Sequence, residues 1–136
     1  MNTILDALRD TDKTYQQVLK KITKDANITI AEWQLLINVE AGLDTQDKLS
    51  KDMGLDNSTL SRQLGSLVQK DLAMHVAVGR DKRQLIYELS NSGQRVLAQV
   101  NQQHAAYSDS VFKMWSDEEK SMIQILLKRL NKSLAK

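Results

Sequence analysis

Between Thr45 and Gly93 the chain breaks into short periodic runs separated by single glycines, and this punctuation leaves few folds open to it. Thr45 or Asp44 can cap a helix that reaches about Met53, with Leu49 and Met53 turned inward one helical turn apart. Gly54 ends that helix. Leu55 alone then separates it from Asp56 and Asn57, either of which can cap a second helix running to about Lys70. A connection that short permits only a tight helix-turn-helix corner. After Asp71 the period becomes two: Met74, Val76 and Val78 alternate with His75 and Ala77, then Leu85, Tyr87 and Leu89 alternate with Ile86 and Glu88. Two such runs around residues 79–83 read as a β-hairpin with Gly79 at its tip.

Helices are expected on both sides of this segment. Over residues 2–24, Ile4, Leu5, Leu8, Tyr15, Val18, Leu19 and Ile22 share a stripe in which Leu8, Tyr15 and Ile22 recur every seventh position. A narrow stripe of that kind packs either on a second subunit or on the chain's own core, and this segment does not choose between them. Thr29 and Glu32 have the spacing of a capping box. Trp33, Leu36, Ile37 and Val39 supply the buried face that follows, with Gly42 as the stop; Trp33 reads as core before it reads as a ligand contact. Ser90 or Ser92 restarts helix through Val96, Leu97 and Val100 towards Phe112. A second capping box, Ser116 with Glu119, opens a last helix carrying Met122, Ile123, Ile125, Leu126, Leu127, Leu130 and Leu134. That apolar arc is too wide for one small core and predicts a dimer interface shared with the first helix.

The second helix of the corner carries the chemistry. Leu60, Leu64, Leu67 and Val68 form its apolar stripe, while Ser58, Arg62, Ser66 and Gln69, with Thr59 and Gly65 beside them, form the opposite face. A solvated helix face ordinarily mixes Lys with Glu. Small hydroxyl residues with one arginine suit close approach to a phosphate backbone and to base edges in a major groove. From Arg62 to Arg83 there are five basic residues (Arg62, Lys70, Arg80, Lys82, Arg83) against two acidic ones (Asp71, Asp81). The tip cations would project where they can reach a minor groove or its phosphates.

Other classes are disfavoured. At 136 residues, with 41% hydrophobic and 26% charged residues, the chain is sized and composed as one folded domain. It has no cysteine, which removes disulfides, thiolate metal ligands and thiol-based redox sensing. Its two histidines, His75 and His104, lie too far apart in sequence to suggest a zinc site, so no metal or cofactor is expected. No stretch approaches the apolar length of a membrane span, and the first ten residues lack the pattern of a secretion signal, so no membrane partner and a cytoplasmic location are expected. There is no Gly-rich phosphate loop, nucleophile motif or HExxH, and the chain does not read as an enzyme.

Taken in order, these segments resemble the MarR family of winged helix-turn-helix transcription regulators. The resemblance rests on TQDKLSKDMGL (45–55), DNSTLSRQLGSLVQKDL (56–72) and DKRQLIYELSNSG (81–93), the last similar to the family's D-x-R…L-(S/T)-x-x-G wing signature. It covers essentially the whole chain. It implies a mostly α fold with a small β-hairpin wing: one domain over 1–136, with a winged helix-turn-helix at 28–93 and dimerisation helices at 1–24 and 94–136. It implies a homodimer that binds a pseudo-palindromic operator in double-stranded DNA as a ligand-responsive repressor. Ser58, Thr59, Ser61 and Arg62 fall where the family touches the major groove, Arg83 where a wing arginine enters the minor groove, and Asp81 where an acid orients it. With Asn57, Ser66, Arg80 and Lys82 these complete the expected DNA-binding set. A phenolic or lipophilic effector bound through Tyr15, Trp33 or Tyr107 follows from family habit. Two departures stand out: Asp71 occupies the usual glycine before the hairpin, predicting a differently shaped turn, and no proline precedes Asp81, predicting a more mobile tip. The alternative is a winged-helix module for protein contacts that does not bind DNA.

Overall fold

The helices begin where the sequence supplies a side-chain cap. The computed structural model describes residues 3–79 and 84–135. In it Thr3 caps α1 (Ile4–Asp25), Thr29 caps α2 (Ile30–Glu40), Thr45 caps α3 (Gln46–Met53), Asp56 caps α4 (Asn57–Gln69) and Ser116 caps α6 (Asp117–Leu134). Each cap oxygen accepts a first-turn backbone N–H that has no partner within its helix. The boxes expected at Thr29 and Ser116 are both formed, and Thr3 with Asp6 makes a third. Between α4 and α5 (Asn91–Val111) lie β1 (Ala73–Val78) and β2 (Gln84–Leu89), paired antiparallel from Ala73↔Leu89 to Val78↔Gln84.

By its internal contacts the chain divides into two compact units, Met1–Gln103 and His104–Lys136. The first holds the core. Leu35, Leu36, Leu49, Leu60, Leu64, Leu67 and Val100 are fully buried there. Helix α2 is its centre, packing on α1, α3, α4 and β2. That position corrects the expected face of α2: Leu35 is fully buried whereas Ile37 is 37% exposed. A helix covered on several sides does not have the single apolar stripe from which Ile37 was inferred. In α1, Leu19 and Thr23 enter the core while Ile4, Leu5 and Tyr15 stay exposed, so its stripe is only half used within the chain. In the second unit α6 buries none of its residues; Met122, Ile125, Leu126, Leu127 and Leu134 are open to solvent.

The hairpin turns one face to the core, through Ala73, Tyr87 and Leu89. Met74 and Val76 lie on the other face and are exposed. The Tyr87 N–H donates to the Asp44 carbonyl (2.8 Å), tying β2 to the loop before α3. At its base the hairpin meets α5 very closely. The Ser90 N–H donates to the Leu72 carbonyl (3.1 Å), and the Ser90 hydroxyl donates to the Asp71 carbonyl (2.6 Å) while accepting from the Gly93 N–H (2.9 Å). A Cβ on Gly93 would overlap the Leu72 carbonyl oxygen, which is the physical content of the glycine that closes the L-S-x-x-G run.

Asp71 itself takes the left-handed conformation, φ 61°. Its N–H donates to the Val68 carbonyl (3.0 Å) and the Leu72 N–H to the Leu67 carbonyl (2.9 Å), the paired bonds of a glycine-type helix stop. The turn expected to differ without glycine therefore keeps the glycine geometry, because a short acidic side chain tolerates it.

Candidate nucleic-acid interface

Two side chains of α3 hold the corner that presents α4. Gly54 supplies the left-handed residue (φ 66°). The Ser50 hydroxyl donates to the Leu55 carbonyl (2.9 Å), and the Gln46 amide donates to the Asn57 carbonyl (3.1 Å). Both carbonyls belong to the connection or to the first residue of α4, so α3 grips the start of α4 as well as packing beside it.

At that start Asp56 Oδ1 accepts from the Thr59 N–H (2.7 Å) and from the Ser58 hydroxyl (2.9 Å). The Thr59 N–H and hydroxyl, the Ser58 hydroxyl and the nearby Arg62 charge hold the Asp56 carboxyl below the usual carboxylate range. Asn57, Ser58, Ser61 and Arg62 are exposed, and Thr59 is half-buried beneath them. With Leu60, Leu64 and Leu67 fully buried behind it, the first half of α4 offers hydroxyls, an amide and a guanidinium to solvent.

Ser66 belongs to a different arrangement. Its hydroxyl donates to Glu32 Oε2 (3.0 Å), and Lys70 Nζ pairs with Glu32 Oε1 (2.8 Å) and also donates to the Asn27 carbonyl (3.2 Å). Glu32 is 3% exposed. Burial works against its charge, yet Lys70, the Thr29 N–H and the Ser66 hydroxyl together outweigh burial and hold its carboxyl below the usual range. In sequence Glu32 appears only as the far half of a capping box. The missed signal is the spacing of Ser66 and Lys70: a four-residue step advances about 40° around a helix, so a polar row that begins in solvent winds towards the core flank.

The stem residues of the wing, Val78 and Gln84, are in register. Arg80, Asp81, Lys82 and Arg83, and with them the expected tip mobility, lie outside the described residues. Of the aromatic residues expected to bind an effector, Trp33 is buried in the first unit with its Nε1–H donating to Asn101 Oδ1 (3.0 Å), and Tyr15 is exposed on α1. Tyr107 belongs to the second unit and is half-buried. A groove of about 880 Å³ lies between α1 and the start of α2, with Val18, Ile28 and Ile30 along it and Lys20, Lys21 and Lys24 beside them; Tyr15 and Trp33 are not among its lining residues. Among the described residues no cluster of His, Asp and Glu could hold a metal ion, and no helix is long and apolar enough to cross a membrane.

A helix corner followed at once by an antiparallel hairpin, with long helices before and after, is a winged helix-turn-helix of the MarR fold. MarR from E. coli in its apo form superposes with a TM-score of 0.78 at 20% identity, over 96% of this chain and 97% of that one. MepR from S. aureus, in a complex with DNA, superposes with a TM-score of 0.82 at 19% identity, over 97% and 96%. In sequence the chain is 33% identical over 86 residues to YxaD of Bacillus subtilis (strain 168), described as an uncharacterized HTH-type transcriptional regulator; the match spans 63% of this chain and 60% of YxaD. No family model matches the chain.

Proposed function

We propose that this chain is a MarR-family transcriptional regulator that binds a pseudo-palindromic operator in double-stranded DNA as a homodimer and responds to a small effector. One observation carries the reading: a fully buried leucine stripe fixes α4 at a helix corner while Asn57, Ser58, Ser61 and Arg62 remain exposed on it. The solved DNA complexes of MepR and of a MarR mutant with operator DNA have the same fold and support it. In this reading α4 enters the major groove, and Arg80, Lys82 and Arg83, with Asp81 orienting the last, serve the minor groove. Ser66, bonded to Glu32, is assigned to holding α4 in place.

The homodimer is supported by the open apolar residues of α6 and of the first turns of α1, and residues 1–136 then work as one MarR-type domain. An effector using Tyr15, Trp33 or Tyr107 stays part of the proposal, although Trp33 serves the core first. The chain works by binding rather than catalysis, in the cytoplasm. Selection of bound sequences from random duplex DNA, followed by affinity measured against salt, tests the reading. A selected palindrome whose binding weakens steeply with salt is expected, because phosphate contacts release counterions. Failure to select any sequence leaves the protein-interaction module as the better reading.

A further inference from the structure

Turning α4 far about its axis would expose its buried leucines, so the apolar stripe sets its rotation coarsely, but apolar contacts are non-directional and leave the fine angle open. The finer restraint comes from polar bonds, whose geometry is directional. At the first residue of α4 it comes from Gln46 on the Asn57 carbonyl and from the Asp56 cap. At the last turn it comes from Glu32, which is bonded to Ser66 and Lys70 and, through the Thr29 N–H (2.8 Å), to the start of its own helix. Ser58, Arg62, Ser66 and Lys70 follow one another at four-residue intervals. The first two face solvent beside the Asp56 cap and the last two close on Glu32, so one polar row is presented at its start and anchored to α2 at its end.

We propose that Glu32 is a positioning residue for DNA recognition: by holding Ser66 and Lys70 it fixes the rotation of α4 and hence the aim of Ser58 and Arg62 at the groove. This rests on the DNA-binding reading above. Glu32 is too deeply buried to touch DNA and acts through α4 alone. An ion pair with its carboxylate buried and its ammonium at the surface is a weak device for stability; fixing one arrangement among several is the role such a pair can fill.

The test uses the full chain and the duplex that the wild type selects from random DNA. If the wild type selects nothing, the DNA-binding reading falls first and this proposal with it. On a selected duplex, Glu32→Gln, Lys70→Gln and Ser66→Ala are compared by fluorescence anisotropy at a temperature where circular dichroism shows each folded. Each is expected to lose about tenfold in affinity for the selected duplex. Affinity for unrelated duplex and the salt slope should stay at wild-type values, and the Glu32→Gln/Lys70→Gln double variant should be no weaker than the worse single one. Lys70 and Ser66 lie at the helix end, where substitution is compatible with folding even if Glu32→Gln is not. Wild-type affinity in both of those variants overturns the proposal. So does a salt slope lowered by about one in Lys70→Gln, which would make Lys70 a phosphate contact.

Discussion

Lys70 Nζ lies 2.8 Å from Glu32 Oε1, and the same oxygen accepts the Thr29 N–H at 2.8 Å. One buried carboxylate therefore closes the start of α2 and the end of α4 together. Lys70 also reaches the Asn27 carbonyl in the turn before α2, so three segments converge on a single ion pair.

The charge on Glu32 should appear in the acid stability of the chain. Its carboxyl is held below the ordinary value of 4.5 in the folded state. A depressed carboxylate contributes stability that is fully present above its unfolded pKa and is lost as pH falls through the folded one. Thermal melts are expected to fall more steeply below about pH 4.5 in the wild type than in Glu32→Gln, which has no proton to take up there. At neutral pH Glu32→Ala should cost about 1–3 kcal/mol, below the usual range for a broken buried pair because Lys70 keeps access to water. Parallel acid limbs in the two proteins would show that Glu32 is not depressed.

Two glycines should respond oppositely to alanine. At Gly93 the new methyl meets the Leu72 backbone, which cannot swing aside as a side chain would. Gly93→Ala is expected to destabilise by about 1–3 kcal/mol, the ordinary range for overpacking. At Gly65, within α4, a Cβ meets nothing within 4 Å. Gly65→Ala should stabilise the free chain by about 0.5–1 kcal/mol through helix propensity. Denaturant unfolding of both variants checks the signs; a stabilised Gly93→Ala would mean that α5 does not start against Leu72.

The caps and stops were legible in the sequence because their causes are local. Thr29 with Glu32, Gly54, and Ser116 with Glu119 each act within a few residues and stand in the role their spacing suggested, and of the two candidate caps at each helix of the corner Thr45 and Asp56 are the ones used. Residues whose role depends on a distant element were not legible. Leu35 and Ile37 exchange expected burial because α2 is covered on several sides. Ser66 reads as part of an outward face until the winding of that row brings it to Glu32, 34 positions away in sequence. The local spacing gives the winding but not the partner that the row meets.

Asp71 offers a test of the stop that links α4 to the wing. Its φ of 61° strains most side chains, and Asp relieves the strain only in part. Asp71→Ala is expected to lose about 1 kcal/mol, whereas Asp71→Gly should match or exceed the wild type, since what it gains in backbone freedom is partly offset by unfolded-state entropy. Equilibrium unfolding of the pair decides. Equal stability of the Ala and Gly variants would mean that this backbone position is not held left-handed in solution.

The open face of α6 predicts the assembly state. Ile125 is 65% exposed in the chain. If a second copy covers it, Ile125→Arg removes about 1.5–3 kcal/mol of apolar burial per copy and adds a charge that the interface must desolvate. Analytical ultracentrifugation is expected to show a dimer for the wild type and a shift towards monomer for the variant. A monomeric wild type at micromolar concentration, or a variant that remains fully dimeric, would remove α6 from the interface.

Arg62 is the residue on which direct base reading depends. It is exposed on α4 one turn beyond Ser58, and its charge lies close to the Asp56 carboxylate. A guanidinium that forks onto a guanine edge contributes discrimination at one base pair, whereas one on phosphate contributes equally to every sequence. Arg62→Ala should therefore weaken binding to the selected duplex by about 1–3 kcal/mol and relax preference at a single position in each half-site. Arg62→Lys should recover part of the affinity and little of the preference, because an ammonium keeps the charge without the planar fork. Repeating the selection with each variant reads both quantities. Should Arg62→Ala instead weaken selected and unrelated duplexes equally and lower the salt slope by about one, Arg62 would be a phosphate contact, and base reading would pass to Asn57, Ser58 and Ser61.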